Sequence, residues 1–331
     1  MSSHDIIVIG ASAGGIEAVR EVVSRLPPDL EAAVFVVLHL PQGSRSILPE
    51  IISRSGPLPA AHAVDGERIE LGRIYVAPPD HHMLLDQDRV VLSRGPHHNR
   101  HRPAVDPLFG SAARAYGARV IGVVLSGTLD DGTAGLAKIK RNGGVALVQD
   151  PSTAAFPGMP ENALSLVDVD QSVPVEKLGQ AIVDRVGQPA AGEGGPSDPR
   201  LDEEFEGNIG TRTDMERIGK PSVYACPECH GSLWEFDEDG VLQFRCRVGH
   251  SFSSEGLLVE HDGSLEATLW SAVRALEENA SLRRRLAKRM HSSNLAELYD
   301  RKASESERHA GVLRELLTSE SGPPTAESER T

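Results

Sequence analysis

Apolar residues follow two rhythms over the first 190 positions. Unbroken runs rich in β-branched residues read as strands covered on both faces, as in a parallel sheet. They are Ile6-Ile7-Val8-Ile9, Ala33-Val34-Phe35-Val36-Val37-Leu38, Val120-Ile121-Gly122-Val123-Val124-Leu125 and Val145-Ala146-Leu147-Val148. Helical spacing fills the gaps: Ile16, Val19 and Val23 predict a helix to about Arg25, stopped by Pro27-Pro28. Further helices are predicted around Ser46 to Arg54, Asp106 to Tyr116, up to Arg141, and Val175 to Val186. Arg73-Ile74-Tyr75-Val76 is another strand, and Met83-Leu84-Leu85 with Arg89-Val90-Val91-Leu92 flank Asp86-Gln87-Asp88 as an antiparallel hairpin annexed to the sheet. Strand, helix, strand within forty residues is a right-handed βαβ unit. The fold expected is α/β, a doubly wound, mostly parallel, Rossmann-like sheet with an antiparallel hairpin.

The rhythm stops after residue 187. Residues 188–221 are dominated by Gly, Pro, Asp and Glu and read as a flexible linker. Residues 222–255 hold Leu233-Trp234-Glu235-Phe236 and Val241-Leu242-Gln243-Phe244-Arg245 around Asp237-Glu238-Asp239-Gly240, a second hairpin. In 256–318, Leu265, Leu269, Val273, Leu276 and Leu282 space out one helix. Asn294 with Glu297 resembles a capping pair opening another through Leu317. Such a helical hairpin could dock a partner or self-associate. Residues 319–331 read as a disordered tail.

Composition narrows the function. The 331 residues carry a formal charge of −14, of which −10 falls after residue 190. This opposes a nucleic-acid partner, since such proteins show a basic stripe; Arg283-Arg284-Arg285 reads as a solvated face. No apolar run reaches membrane-spanning length, and strand one begins almost at once, leaving no room for a signal peptide. All three cysteines lie between 226 and 246, which suits a reducing compartment and a metal better than disulfides. The expectation is a cytoplasmic protein without membrane insertion.

Candidate chemistry gathers in the turns after the strands. Gly10-Ala11-Ser12-Ala13-Gly14-Gly15 fits a nucleophile elbow with Ser12 at its apex, and equally a glycine-rich phosphate loop. His39 ends strand two on the same sheet edge as Ser12, because parallel strands share their C-terminal edge. The loop His97-His98-Asn99-Arg100-His101-Arg102-Pro103 is either a solvated lead-in to a helix or a positive wall for an acidic substrate. Ser126-Gly127-Thr128-Leu129-Asp130-Asp131-Gly132 is again a strand, turn and helix junction, and its aspartates suit an N-cap or a carboxylate that orients a histidine. Phe156-Pro157-Gly158-Met159-Pro160 is read as a loop over that edge.

These stretches, with His39-Leu40-Pro41 and Gly158-Met159-Pro160 in order and spacing over about residues 4–187, resemble the catalytic domain of the chemotaxis protein-glutamate methylesterases, the CheB family. The resemblance implies a serine hydrolase acting on γ-glutamyl methyl esters of chemoreceptor-like proteins, with deamidation of selected glutamines. It makes Ser12 the nucleophile, His39 the general base and Asp131, not Asp130, the orienting acid. Ala13 and Thr128 are candidate oxyanion-hole amides, and Arg100 and Arg102 candidate substrate contacts. Family members in chemotaxis carry an N-terminal receiver domain; with strand one at residue 5, phosphorylation control in cis is expected to be absent. Ala13, Leu38 and Thr128 stand where the family usually has Thr, Gln and Met.

The cysteines form a second motif. Cys226-Pro227-Glu228-Cys229, sixteen residues, then Cys246-Arg247-Val248-Gly249-His250 supply four N/S ligands, the number a closed structural Zn2+ site needs. Cys226, Cys229, Cys246 and His250 are the expected ligands of a small zinc ribbon; His230 adjoins the first knuckle and is discounted. A long linker predicts that this module and catalysis behave independently, and that no cofactor enters the reaction. Acidic residues 201–206 are expected to lie against the His97–Arg102 loop and restrain it. Two alternatives compete with the esterase: a nucleotide-binding Rossmann domain, which the first turn alone allows, and a non-catalytic scaffold whose zinc ribbon mediates interaction.

Overall fold

The computed structural model describes residues 3–39, 46–190, 219–238 and 240–319. Leu40-Pro41, most of the expected linker, acidic residues 201–206 and the tail beyond Ser319 lie outside the described residues. Two compact units divide the chain, Met1–Leu257 and Leu258–Thr331.

The first unit is organised by β1 (Ile6–Ala11), followed by α1 (Gly15–Ser24), β2 (Ala33–Leu38), α2 (Leu48–Ser55), β3 (Ala60–His62) and β4 (Ile74–Val76). The antiparallel strands β5 (His82–Asp86) and β6 (Arg89–Ser93) lead into α3 (Val105–Tyr116). Then come β7 (Val120–Val124), α4 (Thr133–Arg141), β8 (Val145–Gln149), α5 (Gly158–Leu166), β9 (Gln171–Val173) and α6 (Val175–Val183). Seven strands form one parallel sheet in the order β3-β4-β2-β1-β7-β8-β9. The chain winds outward from β1 to one side, then returns to build the other side from β7. The β1/β7 boundary is therefore the switch point at which a doubly wound sheet opens a crevice.

The unbroken apolar runs have the expected cause. Ile6 and Val8 pack with Phe35, Val37 and Phe109 on one face, while Ile7 and Ile9 pack with Val19, Val34 and Val36 on the other. Successive side chains point to opposite faces, so a strand buried on both sides has no polar positions.

Four local expectations are corrected. The β5–β6 hairpin is its own two-stranded sheet rather than an extension of the large one, and it packs through Met83, Leu85 and Val90 onto the α3 side of the core. β3 and β9 complete the sheet edges with three residues each. The Gly158-Met159-Pro160 stretch is the first turn of α5, not a loop; proline is tolerated there because a first-turn N–H has no intrahelical partner.

The fourth correction concerns the cysteine-bearing module. β10 (Lys220–Ala225), β11 (Ser232–Glu238), β12 (Val241–Cys246) and β13 (Ser251–Ser253) form an antiparallel sheet in that order, within the same compact unit as the parallel sheet. Val241 is buried in the cluster that holds Leu136, Ala137 and Ile139 of α4. The module is not structurally separate as the long linker predicts, because it shares packing and hydrogen bonds with the parallel-sheet region.

In the second unit, the helices α7 (Ser254–Ala287), whose first turn belongs to the first unit, and α8 (Ser293–Ser319) pair antiparallel. Ala280, Ala287, Ala303 and Ala310 are buried between them, and Arg284–Glu307 (2.5 Å) and Arg314–Glu277 (2.6 Å) cross the pair. Arg283 donates to Ser306 Oγ (2.6 Å), so two of the three clustered arginines have partners on the facing helix. Among the described residues no helix is long and apolar enough to cross a membrane.

Candidate active site

Ser12 follows the last residue of β1. Its N–H donates to Ser126 O (2.9 Å) and its carbonyl accepts from Gly15 N–H (2.9 Å), which closes the turn into α1. Gly14 is left-handed (φ +68°), and a Cβ there would lie 2.8 Å from Ala155 Cβ. The turn therefore needs glycine for both backbone angle and space.

His39 follows β2, one strand away. Its Nδ1 is 3.0 Å from Ser12 Oγ, and its Nε2 is 2.6 Å from Asp131 Oδ2. The side chains of His39 and Asp131 are 7% and 3% exposed, so the pair is shielded from water. An ionised carboxylate only accepts, so the ring proton sits on Nε2 and Nδ1 is the free base facing the hydroxyl. The ring is used the opposite way round from the chymotrypsin arrangement, in which Nε2 faces the serine.

Asp131 sits at the N-terminus of α3. Its Oδ2 accepts from Val105 N–H (2.7 Å) and its Oδ1 from Asp106 N–H (3.1 Å). Two glycines make this approach possible. A Cβ on Gly10 would lie 2.3 Å from Val105 Cγ1, and one on Gly132 2.7 Å from the same atom. Burial alone would raise the Asp131 carboxyl. The His39 hydrogen bond and charge and the two α3 amides outweigh it and hold the group well below the ordinary carboxylate range. The neighbouring Asp106 accepts from Gly132 N–H (3.1 Å) and Gly135 N–H (2.7 Å), and burial together with the Asp131 charge raises it well above that range.

Asp130 is directed elsewhere. Buried at 5% exposure, it accepts from Ser253 Oγ of the module (2.5 Å). Burial pushes its pKa up to about 6, against the lowering effect of that hydrogen bond.

Two members of the histidine-rich loop, His101 and Arg102, are engaged inside the protein. His101 stacks on His39 with ring centroids 3.8 Å apart and planes 8° from parallel. Burial, then the nearby His39, lowers its pKa to about 4, so it is neutral at pH 7. His82, from β5, is likewise lowered to about 4 by burial. As a neutral ring its Nε2 donates to Pro96 O (3.0 Å) and its Nδ1 accepts from Ala104 N–H (3.3 Å). Arg102 uses its donors on Asp80 Oδ1 (3.0 and 2.5 Å) and the carbonyls of Arg94 (3.1 Å) and Gly95 (2.7 Å). Arg102 and then Arg94 hold the Asp80 carboxyl down to about 2. Arg102 thus spends these donors inside the protein, while Arg100 is exposed.

Gly127 lies against Ser12, since a Cβ on it would be 2.9 Å from Ser12 Cβ and 2.0 Å from Met159 Sδ. Its N–H donates to Phe156 O (2.9 Å) and its carbonyl accepts from Met159 N–H (2.9 Å). Ala13 and Thr128 follow Ser12 and Gly127, the two residues brought together at these strand ends.

Away from this line, the ligand atoms of Cys226, Cys229, Cys246 and His250 all lie within 4.8 Å of one another. Cys229 Sγ is 3.6 Å from Cys246 Sγ, and His250 Nδ1 is 3.5 Å from Cys246 Sγ and 3.7 Å from Cys226 Sγ. A tetrahedral zinc thiolate site with Zn–S bonds of about 2.3 Å has edges of about 3.8 Å, so the donor set and spacing fit a four-coordinate metal. His250 Nε2 faces Glu228 Oε2 (3.3 Å), the carboxylate–histidine pairing common beside metals. His230 stands outside the cluster.

Sequence reasoning missed His101, Ser253 and Glu228 as parts of the site's surroundings. His101 lay within the noted loop, but nothing in the sequence indicates a stack on His39.

Comparison with known proteins gives the family of the fold that carries this site. The family model described as CheB methylesterase matches residues 7–182. A Bordetella avium protein named protein-glutamate methylesterase/protein-glutamine glutaminase 2 is 39% identical over 191 residues, covering 56% of this chain and 54% of that protein. A Leptospira interrogans relative is 37% identical over 182 residues, covering 55% of this chain and 94% of its own length. The crystal structure of the Thermotoga maritima CheB methylesterase catalytic domain superposes with a TM-score of 0.54 at 32% identity, covering 56% of this chain and all of that one. These likenesses favour the esterase over the nucleotide-binding and scaffold alternatives. The chain belongs to the CheB methylesterase family.

Proposed function

We propose that this chain is a protein-glutamate methylesterase that hydrolyses γ-glutamyl methyl esters on a chemoreceptor-like protein in the cytoplasm, and that the same site deamidates glutamine. The observation that carries the reading is the hydrogen-bonded line from Ser12 through His39 to Asp131, at 3.0 and 2.6 Å. Ser12 Oγ attacks the ester carbonyl carbon as its proton passes to His39 Nδ1. The resulting imidazolium is stabilised by Asp131, which stays ionised. Collapse of the tetrahedral intermediate expels the methoxy group, which takes the proton from His39 and leaves as methanol. Water, deprotonated by the same nitrogen, then attacks the acyl carbon; the acyl–Oγ bond breaks, the His39 proton returns to Ser12 Oγ, and glutamate is released. With glutamine the leaving group is ammonia.

The amides of Ala13 and Thr128 are proposed to hold the oxyanion. Gly127, packed against Ser12, supports the second, and each donor would be worth about 2.7–4 kcal/mol. The metal proposed at Cys226, Cys229, Cys246 and His250 is zinc. Three thiolates and one imidazole fill its coordination, so its contribution when bound is structural and no reaction step passes through it.

The test is methanol release from a methylated chemoreceptor cytoplasmic fragment. Wild-type protein should release it and Ser12→Ala should fall to the uncatalysed background; equal rates would refute the nucleophile.

A further inference from the structure

We infer that the cysteine-bearing module is a structural wall of the active site: through Glu228, Ser251 and Ser253 it fixes the His97–His101 loop and Asp130, and so positions His39 and Asp131. The inference rests on the esterase reading above and adds to it a dependence of catalysis on the metal site.

The loop needs external support. Asn99 and Arg100 are both left-handed, with φ of +47° and +63°. Consecutive non-glycine residues hold that conformation only where their surroundings impose it. Within the loop, His98 and His101 exchange backbone hydrogen bonds (3.2 and 2.8 Å). Much of the rest comes from β13. Asn99 N–H donates to Ser251 O (2.8 Å), Ser251 N–H donates to His97 O (3.2 Å), and Asn99 Oδ1 accepts from Ser253 N–H (2.9 Å). β13 in effect adds a short strand to the loop.

Three further contacts tie the module to the chemistry. Ser253 Oγ donates to Asp130, the residue before Asp131. Glu228 Oε2 faces both His250 Nε2 (3.3 Å) and His97 Nδ1 (2.9 Å), joining a metal ligand to the start of the loop. Glu255, in the first turn of α7, accepts from Asn162 Nδ2 (2.8 Å), which also donates to Leu129 O (3.2 Å) beside Asp130. The loop ends in His101, whose ring lies flat on His39. A path of packed and hydrogen-bonded groups thus runs from His250 through Glu228, His97 and His101 to His39. A second runs from Ser253 through Asp130 to Asp131.

The experiment compares full-length wild type, Ser253→Ala and Glu228→Gln, each assayed for metal content, kcat and KM on a small methyl ester. The downfield imidazole N–H signal of His39 is followed by NMR in the same samples. Both variants should keep their metal, lose roughly 10–100-fold in kcat with KM little changed, and shift or broaden the His39 signal. Removing the metal from wild type with a chelator should reproduce the loss and the spectral change, and adding zinc back should restore both. Unchanged kcat and an unchanged His39 signal would overturn the inference. So would a rise in kcat, which would make the module a block on the site rather than its support. Failure of the esterase reading shows separately, as wild type without ester turnover, and the His39 signal still decides the positioning claim in that case.

Discussion

The parallel sheet and the cysteine-bearing module stabilise themselves by different means. Between its helical layers the sheet buries two extensive clusters, with Ile7, Val8, Ile9, Val34, Phe35 and Val36 all at 0% exposure. The module's own buried cluster is Cys226, Leu233, Phe244, Cys246, Phe252 and Leu257, and two of these belong to the candidate metal site. A core of that size is small against the conformational entropy of some forty residues; Val241 packed into the large core and the bonds of β13 to Asn99 and Asp130 add support, and a metal at the proposed site would add more. Ser12, His39 and Asp131 stand on the robust region, whereas the loop that covers His39 is held by the fragile one. On the proposed mechanism the chemistry is guarded unequally: Ser12 would keep its place whatever the module does, and His39 would not.

The comparison can be broken first at the triad. Asp131→Asn should cost about 10⁴-fold in kcat, because the amide cannot fix the His39 tautomer or steady the imidazolium. Asp130→Asn, which can still accept from Ser253, should cost far less. Steady-state kinetics of the two variants decides it, and the reverse order would move the orienting acid by one residue.

Cys226→Ser should next separate the regions. Amides of residues 220–257 should lose most of their hydrogen-exchange protection while those of β1, β2 and β7 keep theirs. Equal loss across both would mean that the sheet depends on the module as much as the reverse.

A smaller effect follows from pH. Folded His82 is lowered to about 4 by burial, while the unfolded imidazole titrates near its ordinary 6.5. Between these values the unfolded chain binds the extra proton. Stability is fully present above about pH 6.5 and is lost as pH falls toward 4, by on the order of 3 kcal/mol. Denaturant midpoints for wild type and His82→Gln should converge as pH falls across that window. The smallest effect belongs to the second unit: Glu307→Gln, which breaks an exposed pair with Arg284, should change stability by about 0.2–1 kcal/mol and leave ester hydrolysis unchanged.

Legibility in the sequence tracked local cause. β1, β2, β7 and β8 were readable because burial on both faces leaves them apolar runs, broken only by Gln149 at the end of β8. Ser12, His39 and the Asp130-Asp131 pair were readable because each follows such a strand, and strand ends of a parallel sheet converge; the choice of Asp131 over Asp130 came from the resemblance to the CheB family. Ala60-Ala61-His62 and Gln171-Ser172-Val173 were not, since three residues joined only by pairing with a neighbour carry no periodicity. The docking of the module was invisible for the same reason on a larger scale. Its key bonds join Asp130 to Ser253 across 123 positions and Asn99 to Ser253 across 154, and composition pointed to a loose linker between the two regions.

The central claim, that Ser12 is a nucleophile activated by the His39–Asp131 pair, is tested most directly by covalent capture. Wild-type protein treated with a fluorophosphonate and digested should show one adduct by mass spectrometry, on the peptide carrying Ser12. That adduct should be absent from Ser12→Ala and form far more slowly in His39→Ala. An adduct on another residue with Ser12 unmodified, or equal labelling of wild type and His39→Ala, would contradict it.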